Sequence, residues 1–177
     1  MVNHYTVAKK KRKMDNYSPG GVMGKRPDRA TIVYGNMIRK KYRNAPIIIG
    51  GIEASLRRMA HYDYWSDKVR RSILLDAGAD ILSYGMGEKS IVELADALNS
   101  GIAVGDITFV KGTVYKSKDL SSVYDAIHLP EYKDILESKE EFARSFYQQY
   151  IKLRICNRSD SLSKRRKIIY LPPLLYR

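Results

Sequence analysis

The sequence predicts an α/β fold, an incomplete doubly wound parallel sheet with flanking helices. Three observations carry this reading. Two short apolar runs, Ile47-Ile48-Ile49 and Ile81-Leu82-Ser83-Tyr84, are too brief for helices and read as strands buried on both faces. Each run ends in a glycine turn, Gly50-Gly51 or Gly85-Met86-Gly87. Helical patterns stand before, between and after them, which is the order of a parallel sheet with crossovers.

Residues 1–27 are polar and turn-rich, with Ser18-Pro19-Gly20-Gly21 and Gly24-Lys25-Arg26-Pro27, and read as a basic arm or loop. Residues 28–152 form the partial α/β domain, and 153–177 form a basic tail. Asp28 is expected to cap a helix running to about residue 43, with Ala30, Val33, Tyr34, Met37 and Ile38 on its inner stripe. Arg39, Lys40 and Lys41 suit the negative end of that helix. Pro46 introduces the first strand. Residues 50–72 sustain neither a helix nor a strand period, and Val69, Ile73 and Leu74 then give a short helical stripe closed by Gly78. The second strand leads into a helix carrying Ile91, Val92, Leu94, Ala95 and Leu98 before Gly101. Ile107 to Tyr115 is a third extended segment with a turn at Lys111-Gly112. Ser138 with Glu141 is a capping-box signature for a helix through about Lys152, with Phe142, Phe146 and Tyr150 at four-residue steps. The tail is basic from Ser159 and apolar from Ile168 to Leu175. Three strands leave two raw edges, so the chain is expected either to be part of a larger sheet or to self-associate through those edges.

The net charge of +13 is unevenly spread. Residues 1–43 carry 12 basic and 2 acidic side chains, 44–151 carry 12 and 16, and 152–177 carry 8 and 1. A slightly acidic middle between basic ends argues against a nucleic-acid surface on the folded part. No apolar run is long enough to span a membrane, and no secretory pattern precedes Lys9-Lys10-Lys11-Arg12-Lys13, so a cytoplasmic protein is expected. A single cysteine, Cys156, excludes an internal disulfide and any cysteine-only cluster built by this chain alone.

Two constellations are candidates for function. Gly50, Gly51 and Glu53 after the first strand, and Gly85, Gly87 and Glu88 after the second, stand where open α/β sheets bind cofactors. Tight βα turns are the plainer reading of either group, and neither matches a dinucleotide or Walker pattern. The second constellation is the dense segment with Arg57, Arg58, His61, Asp63, Tyr64, Trp65, Asp67, Arg70 and Arg71. His61, Asp63 and the arginines could form an acid–base or anion site, or Arg57, Arg58, Arg70 and Arg71 could form ion pairs with Asp63, Asp67 and Asp76 while Trp65 packs into a domain interface, and the interface reading stands slightly ahead. His4 and His128 read as surface residues, and no catalytic or metal-ligating residue is assigned. Residues 24–29 fit either phosphate binding or plain loop chemistry. Lys9 to Lys13 with Lys164 to Lys167 support an alternative function as a self-contained nucleic-acid module.

Three segments go beyond pattern: Gly-Lys-Arg-Pro-Asp-Arg-Ala-Thr-Ile-Val-Tyr (24–34), the stretch 46–76 with His-Tyr-Asp-Tyr-Trp-Ser-Asp, and 79–98 with Tyr-Gly-Met-Gly-Glu. Together they closely resemble the N-terminal region of the YgiQ family of radical S-adenosylmethionine proteins, from about Met1 to Tyr150. The resemblance implies a cobalamin-binding-like α/β domain placed before a barrel that uses S-adenosylmethionine and holds a [4Fe–4S] cluster through Cys-x-x-x-Cys-x-x-Cys. That cysteine motif has no counterpart among these residues, nor has the Asp-x-His-x-x-Gly pattern of cobalt ligation. The family's opening strands are expected to be missing, and Ile168 to Leu175 resembles the approach to the barrel. The resemblance thus implies a fragment that binds no cofactor and is inactive alone, with Arg57 to Arg71 facing the absent barrel or its substrate and Trp65 as anchor.

Overall fold

The structure, a computed structural model, describes residues 3–117 and 127–150 in full, and residues 151–156 and 168–169 as backbone only. The chain divides into two compact units, Met1–Tyr115 and Lys116–Arg177. Sequence expectations for Lys164 to Lys167 and for residues 170–175 lie outside the described residues.

In the first unit, α1 (Ala30–Lys41) precedes β1 (Ile48–Ile49), α2 (Gly51–Leu56) and the hairpin of β2 (His61–Asp63) with β3 (Lys68–Arg70). Then come α3 (Ile73–Asp76), β4 (Ile81–Ser83), α4 (Glu88–Asn99) and β5 (Thr113–Tyr115). The sheet order is β1-β4-β5. β1 and β4 run parallel, with Ile48 opposite Ile81 and Ile49 opposite Leu82. The α/β class and the two parallel strands are as the sequence predicts.

The third strand departs from an all-parallel sheet. β5 is antiparallel to β4, pairing Ser83 with Thr113. After α4 the chain passes through a 3-10 turn, Val104–Asp106, and buries Ile107 and Val110 without joining the sheet. It turns at Lys111-Gly112, where the Tyr84 N–H donates to the Gly112 carbonyl at 2.8 Å. The chain is thereby delivered to the carboxyl end of β4 and can only enter the sheet backwards. Of the extended segment 107–115, three residues pair. Ile81, Leu94, Ala97, Ile107 and Val110 form the buried cluster on β4, with Ile48, Leu98, Val104 and Tyr115 packed around it.

The connection from β1 to β4 also differs from a plain helical crossover. Val69 lies on β3 and not on a helical stripe, because residues 61–70 alternate around a turn in which Asp67 takes the left-handed conformation (φ 53°). Aspartate tolerates that region better than most residues.

α1 is rotated from its expected orientation. Val33, Tyr34, Met37 and Ile38 are exposed, and Gly35 is the buried residue. The helix is captured by backbone carbonyls at the end of α3 and in the loop after it. The Asn36 amide donates to the Asp76 carbonyl at 2.7 Å, and Arg39 donates to the Gly78 carbonyl at 3.2 Å and to the Asp80 carboxylate at 2.5 Å. A Cβ on Gly35 would stand 2.4 Å from the Ala77 carbonyl oxygen. Polar anchoring of one face therefore overrides the apolar stripe on the other. Asp28 does not cap α1 either: its carboxylate accepts the His4 N–H at 2.9 Å and pairs with the His4 ring at 3.0 Å. His4 is correspondingly a half-buried, engaged side chain, whereas His128 is exposed.

The second unit contains β6 (Ile127–His128), α5 (Tyr132–Glu137), α6 (Lys139–Cys156) and β7 (Ile168–Ile169), with β6 and β7 parallel. The Ser138 hydroxyl accepts the Glu141 N–H at 3.2 Å, half of a capping box. Phe146 and Tyr150 stack on each other at 6.4 Å on an exposed face, while Ser145 is the buried residue of that turn.

Gly35→Ala is expected to lower unfolding free energy by about 1–3 kcal/mol through overpacking. Met37→Ser should change it by less than about 0.5 kcal/mol, as a surface substitution does. Urea denaturation of the two variants checks both.

Candidate functional site

Asp63 is the centre of the dense segment. Its carboxylate is 2% exposed and lies on the same face of β2 as His61, opposite to the exposed Tyr62. Arg29, just before α1, donates to it at 2.5 Å, and Arg70 on β3 at 3.1 Å. Arg57, just after α2, stands at 3.5 Å, and the Ser66 hydroxyl donates at 2.6 Å. Burial alone would raise the Asp63 pKa. The hydrogen bonds from Ser66 and Arg29 and the charges of Arg29 and Arg57 outweigh it and hold the carboxyl well below its usual range.

Glu53 belongs to the same network. It pairs with Arg57 at 3.4 Å and accepts the Thr31 hydroxyl at 3.1 Å, which ties α2 to α1. His61 is fixed by its Nδ1, which meets the Met59 carbonyl at 3.1 Å, while its Nε2 is buried without a partner among the described residues. Burial, assisted by the Arg57 charge, lowers the His61 pKa and keeps the imidazole neutral at neutral pH. Arg71 pairs with Asp76 at 2.5 Å, and Asp67 accepts the Tyr62 hydroxyl at 2.5 Å. Arg58 has no carboxylate among the described residues; its guanidinium lies 5.0 Å over the Tyr84 ring. Three of the four arginines bracketing Trp65 are thus committed to carboxylates inside the chain.

Trp65 is half-buried against the N-terminal segment. Its ring is 4.6 Å from that of Tyr5, and Lys9 donates to its carbonyl at 3.3 Å. Arg26, Asp28 and Arg29 of residues 24–29 are likewise engaged within the chain, and Lys25 is exposed. Arg26 makes two hydrogen bonds to buried Asp15, at 2.6 and 2.7 Å, and lies 5.0 Å over the Tyr17 ring. The Arg26 hydrogen bonds are the main reason that the Asp15 carboxyl is held below its usual range.

The two glycine turns lie side by side at the carboxyl ends of β1 and β4. The Gly85 N–H donates to the Ser55 hydroxyl at 3.0 Å, and that hydroxyl donates to the Gly51 carbonyl at 2.9 Å. Gly51 (φ 84°) and Gly85 (φ 75°) occupy the left-handed region with open space where a Cβ would stand, so conformation and not crowding requires glycine there. Gly50 and Gly87 precede α2 and α4, and Glu88 is exposed in the first turn of α4. The pair of turns presents backbone and one open carboxylate, since Glu53 faces Arg57.

Sequence reasoning missed Arg29, Arg26, Asp15 and the Arg39–Asp80 pair. Arg29 stands 34 residues from Asp63, and no local spacing announces such a partner. Among the described residues no three of His, Cys, Asp and Glu gather as metal ligands. The chain's one cysteine, Cys156 on α6, does not fit a [4Fe–4S] cluster, which needs several thiolates.

Asp63→Asn is expected to cost about 3–5 kcal/mol in urea unfolding, because Arg29 and Arg70 lose their buried counter-charge and Arg57 keeps only Glu53. A depressed carboxyl pKa stabilises the fold fully above the unfolded value of about 4 and loses that contribution as pH falls through the folded one. The variant should therefore lack part of the wild-type loss of stability below about pH 4.

The chain matches the Radical SAM N-terminal family over residues 1–176. It is 58% identical over 151 residues to a UPF0313 protein of Clostridium perfringens strain SM101, covering 85% of this chain and 23% of the relative. It is 55% identical over 150 residues to a UPF0313 protein of Clostridium botulinum strain ATCC 19397, with the same coverage of 85% and 23%. No solved structure matches the chain significantly. The chain thus spans about a quarter of the length of these curated relatives. The family match along nearly the whole chain, and this level of identity, establish that the chain belongs to the UPF0313, or YgiQ, group of radical S-adenosylmethionine proteins as part of their N-terminal region.

Proposed function

We propose that the chain is the α/β scaffold of a UPF0313-type radical S-adenosylmethionine protein, joining the remaining polypeptide and performing no radical chemistry by itself. The observation that carries this is unfinished burial. Among the described residues β1 pairs with β4 alone, and α1 turns Val33, Tyr34, Met37 and Ile38 outward. Side chains of this kind are worth about 1.5–3 kcal/mol each when fully covered. Relatives of which this chain covers 23% have ample polypeptide to cover them.

In that assembly the cluster and S-adenosylmethionine belong to the barrel. The scaffold contributes the paired turns of Gly50, Gly51, Gly85 and Gly87 as a ligand-facing edge, where the missing side chains of Gly51 and Gly85 leave open space beside the backbone. The hairpin of β2 and β3, braced through Asp63, holds Trp65 and its neighbours at a fixed position for docking. A reducing cytoplasm suits the cluster thiolates of the whole protein.

A chimera tests the reading: this chain replaces the matching 151 residues of the C. perfringens relative. The chimera should be soluble and take up iron and sulfide. Met37→Glu with Ile38→Lys should destabilise it by about 2 kcal/mol or more, from the value of covered apolar side chains, yet leave the 177-residue chain unaffected. Equal tolerance in both settings would show that the face stays open and would overturn the proposal. The 177-residue chain alone, reconstituted anaerobically with iron and sulfide, should not acquire the brown absorbance of a cubane cluster.

A further inference from the structure

From sequence, Lys9 to Lys13 reads as an arm detached from any folded face. The structure folds it down. Tyr5 and Lys11 form an antiparallel bridge, and the Thr6 N–H donates to the Lys10 carbonyl at 2.8 Å. The Arg12 N–H donates to the His4 carbonyl at 2.8 Å, and its guanidinium donates to the Tyr5 carbonyl at 3.0 Å. The base of this small hairpin is pinned to the start of α1, where Asn3 donates to the Pro27 carbonyl at 2.7 Å and His4 meets Asp28. Its tip is pinned to the turn between β2 and β3. There Lys9 Nζ lies 4.7 Å from the Tyr64 ring centre and 5.8 Å from that of Trp65. Lys9 holds a left-handed backbone (φ 57°), a conformation that a non-glycine residue keeps only when its surroundings fix it.

The result is a basic surface with fixed geometry. Lys9, Lys10, Lys11, Arg12 and Lys13 are all exposed, and among the described residues none of them pairs with a carboxylate. Two exposed rings stand on the hairpin that the tip contacts: Tyr64, 57% exposed, with Lys9 over its ring, and Tyr62, 50% exposed. The Tyr62 ring is steadied by its hydroxyl, which donates to Asp67. The charge of residues 9–13 therefore sits on a folded face and not on a loose end.

We infer that this surface binds single-stranded nucleic acid, with Lys10, Lys11, Arg12 and Lys13 following the phosphates and Tyr62 and Tyr64 stacking on bases. Exposed cations on a folded hairpin and exposed aromatic rings on the turn it contacts are the two components that unpaired strands require. A duplex keeps its bases stacked inside and leaves the rings without a partner. An acidic peptide would use the cations and gain nothing from the rings.

The test is fluorescence anisotropy with labelled 12-nucleotide oligouridine and oligothymidine on the full 177-residue chain. Binding should weaken roughly 50-fold between 50 and 200 mM salt if about four phosphates are neutralised. Lys10→Ala, Lys11→Ala and Lys13→Ala combined should weaken binding at least about tenfold and flatten the salt dependence. Tyr64→Ala should weaken it by a similar factor with the salt dependence unchanged, because stacking releases no counterions. Replacing Lys164 to Lys167 by alanine should change binding less than about twofold, which keeps the tail's charge from mimicking the effect. Three outcomes overturn the inference: no binding at 50 mM salt, full affinity in the Lys10, Lys11 and Lys13 variant, or equal affinity for an oligoglutamate probe with Tyr64→Ala silent. The last would identify an acidic protein segment as the partner. A preference between the two oligonucleotides supports the inference and tells RNA from DNA.

Discussion

Asp63 gathers guanidinium groups from three places far apart in the chain: the approach to α1, the exit from α2, and β3. The hairpin of β2 and β3 is outside the β1-β4-β5 sheet, and Asp63 is the one fully buried residue between His61 and Arg70. Charge therefore fixes its position. A carboxylate in a dry site must be paired or protonated, so the surrounding elements are obliged to bring their arginines to it. Trp65, Tyr64 and the Lys9 contact all ride on this hairpin, so the surface features of the first unit inherit their geometry from one buried ion cluster.

The same logic governs α1. Arg39 and Asn36 reach backbone carbonyls and Asp80, and Gly35 lets the helix come close enough for them to do so. Satisfying those carbonyls dictates which face turns inward, and the apolar face is left over. A leftover apolar face on a helix and a strand with one neighbour among the described residues are what a piece of a larger assembly presents, consistent with a chain that covers 23% of its relatives.

Local signals in the sequence were readable because their causes are local. Ile47 to Ile49 and Ile81 to Ser83 announce buried strands, the glycines after them announce βα turns, and Ser138 announces the start of α6 by reaching a group three residues on. Features set by distant partners were not readable. Nothing near Gly35 reveals the Ala77 carbonyl that makes its missing side chain necessary. The direction of β5 depends on where the unpaired stretch containing Ile107 and Val110 delivers the chain. Of the candidate site, the ion-pair character of the dense segment was legible from its composition, whereas Arg29 was not, because its partner lies on the far side of α1 and β1 in the sequence.

A hub with one anion and three cations is unevenly fragile. If Arg70 or Arg57 is lost, Asp63 keeps its Ser66 hydroxyl and two remaining guanidinium groups. If the carboxylate is lost, Arg29 and Arg70 are stranded without a counter-charge and Arg57 is left with Glu53 alone. Natural drift should therefore be absorbed on the arginine side, with spare partners covering for one another, while the aspartate has no understudy.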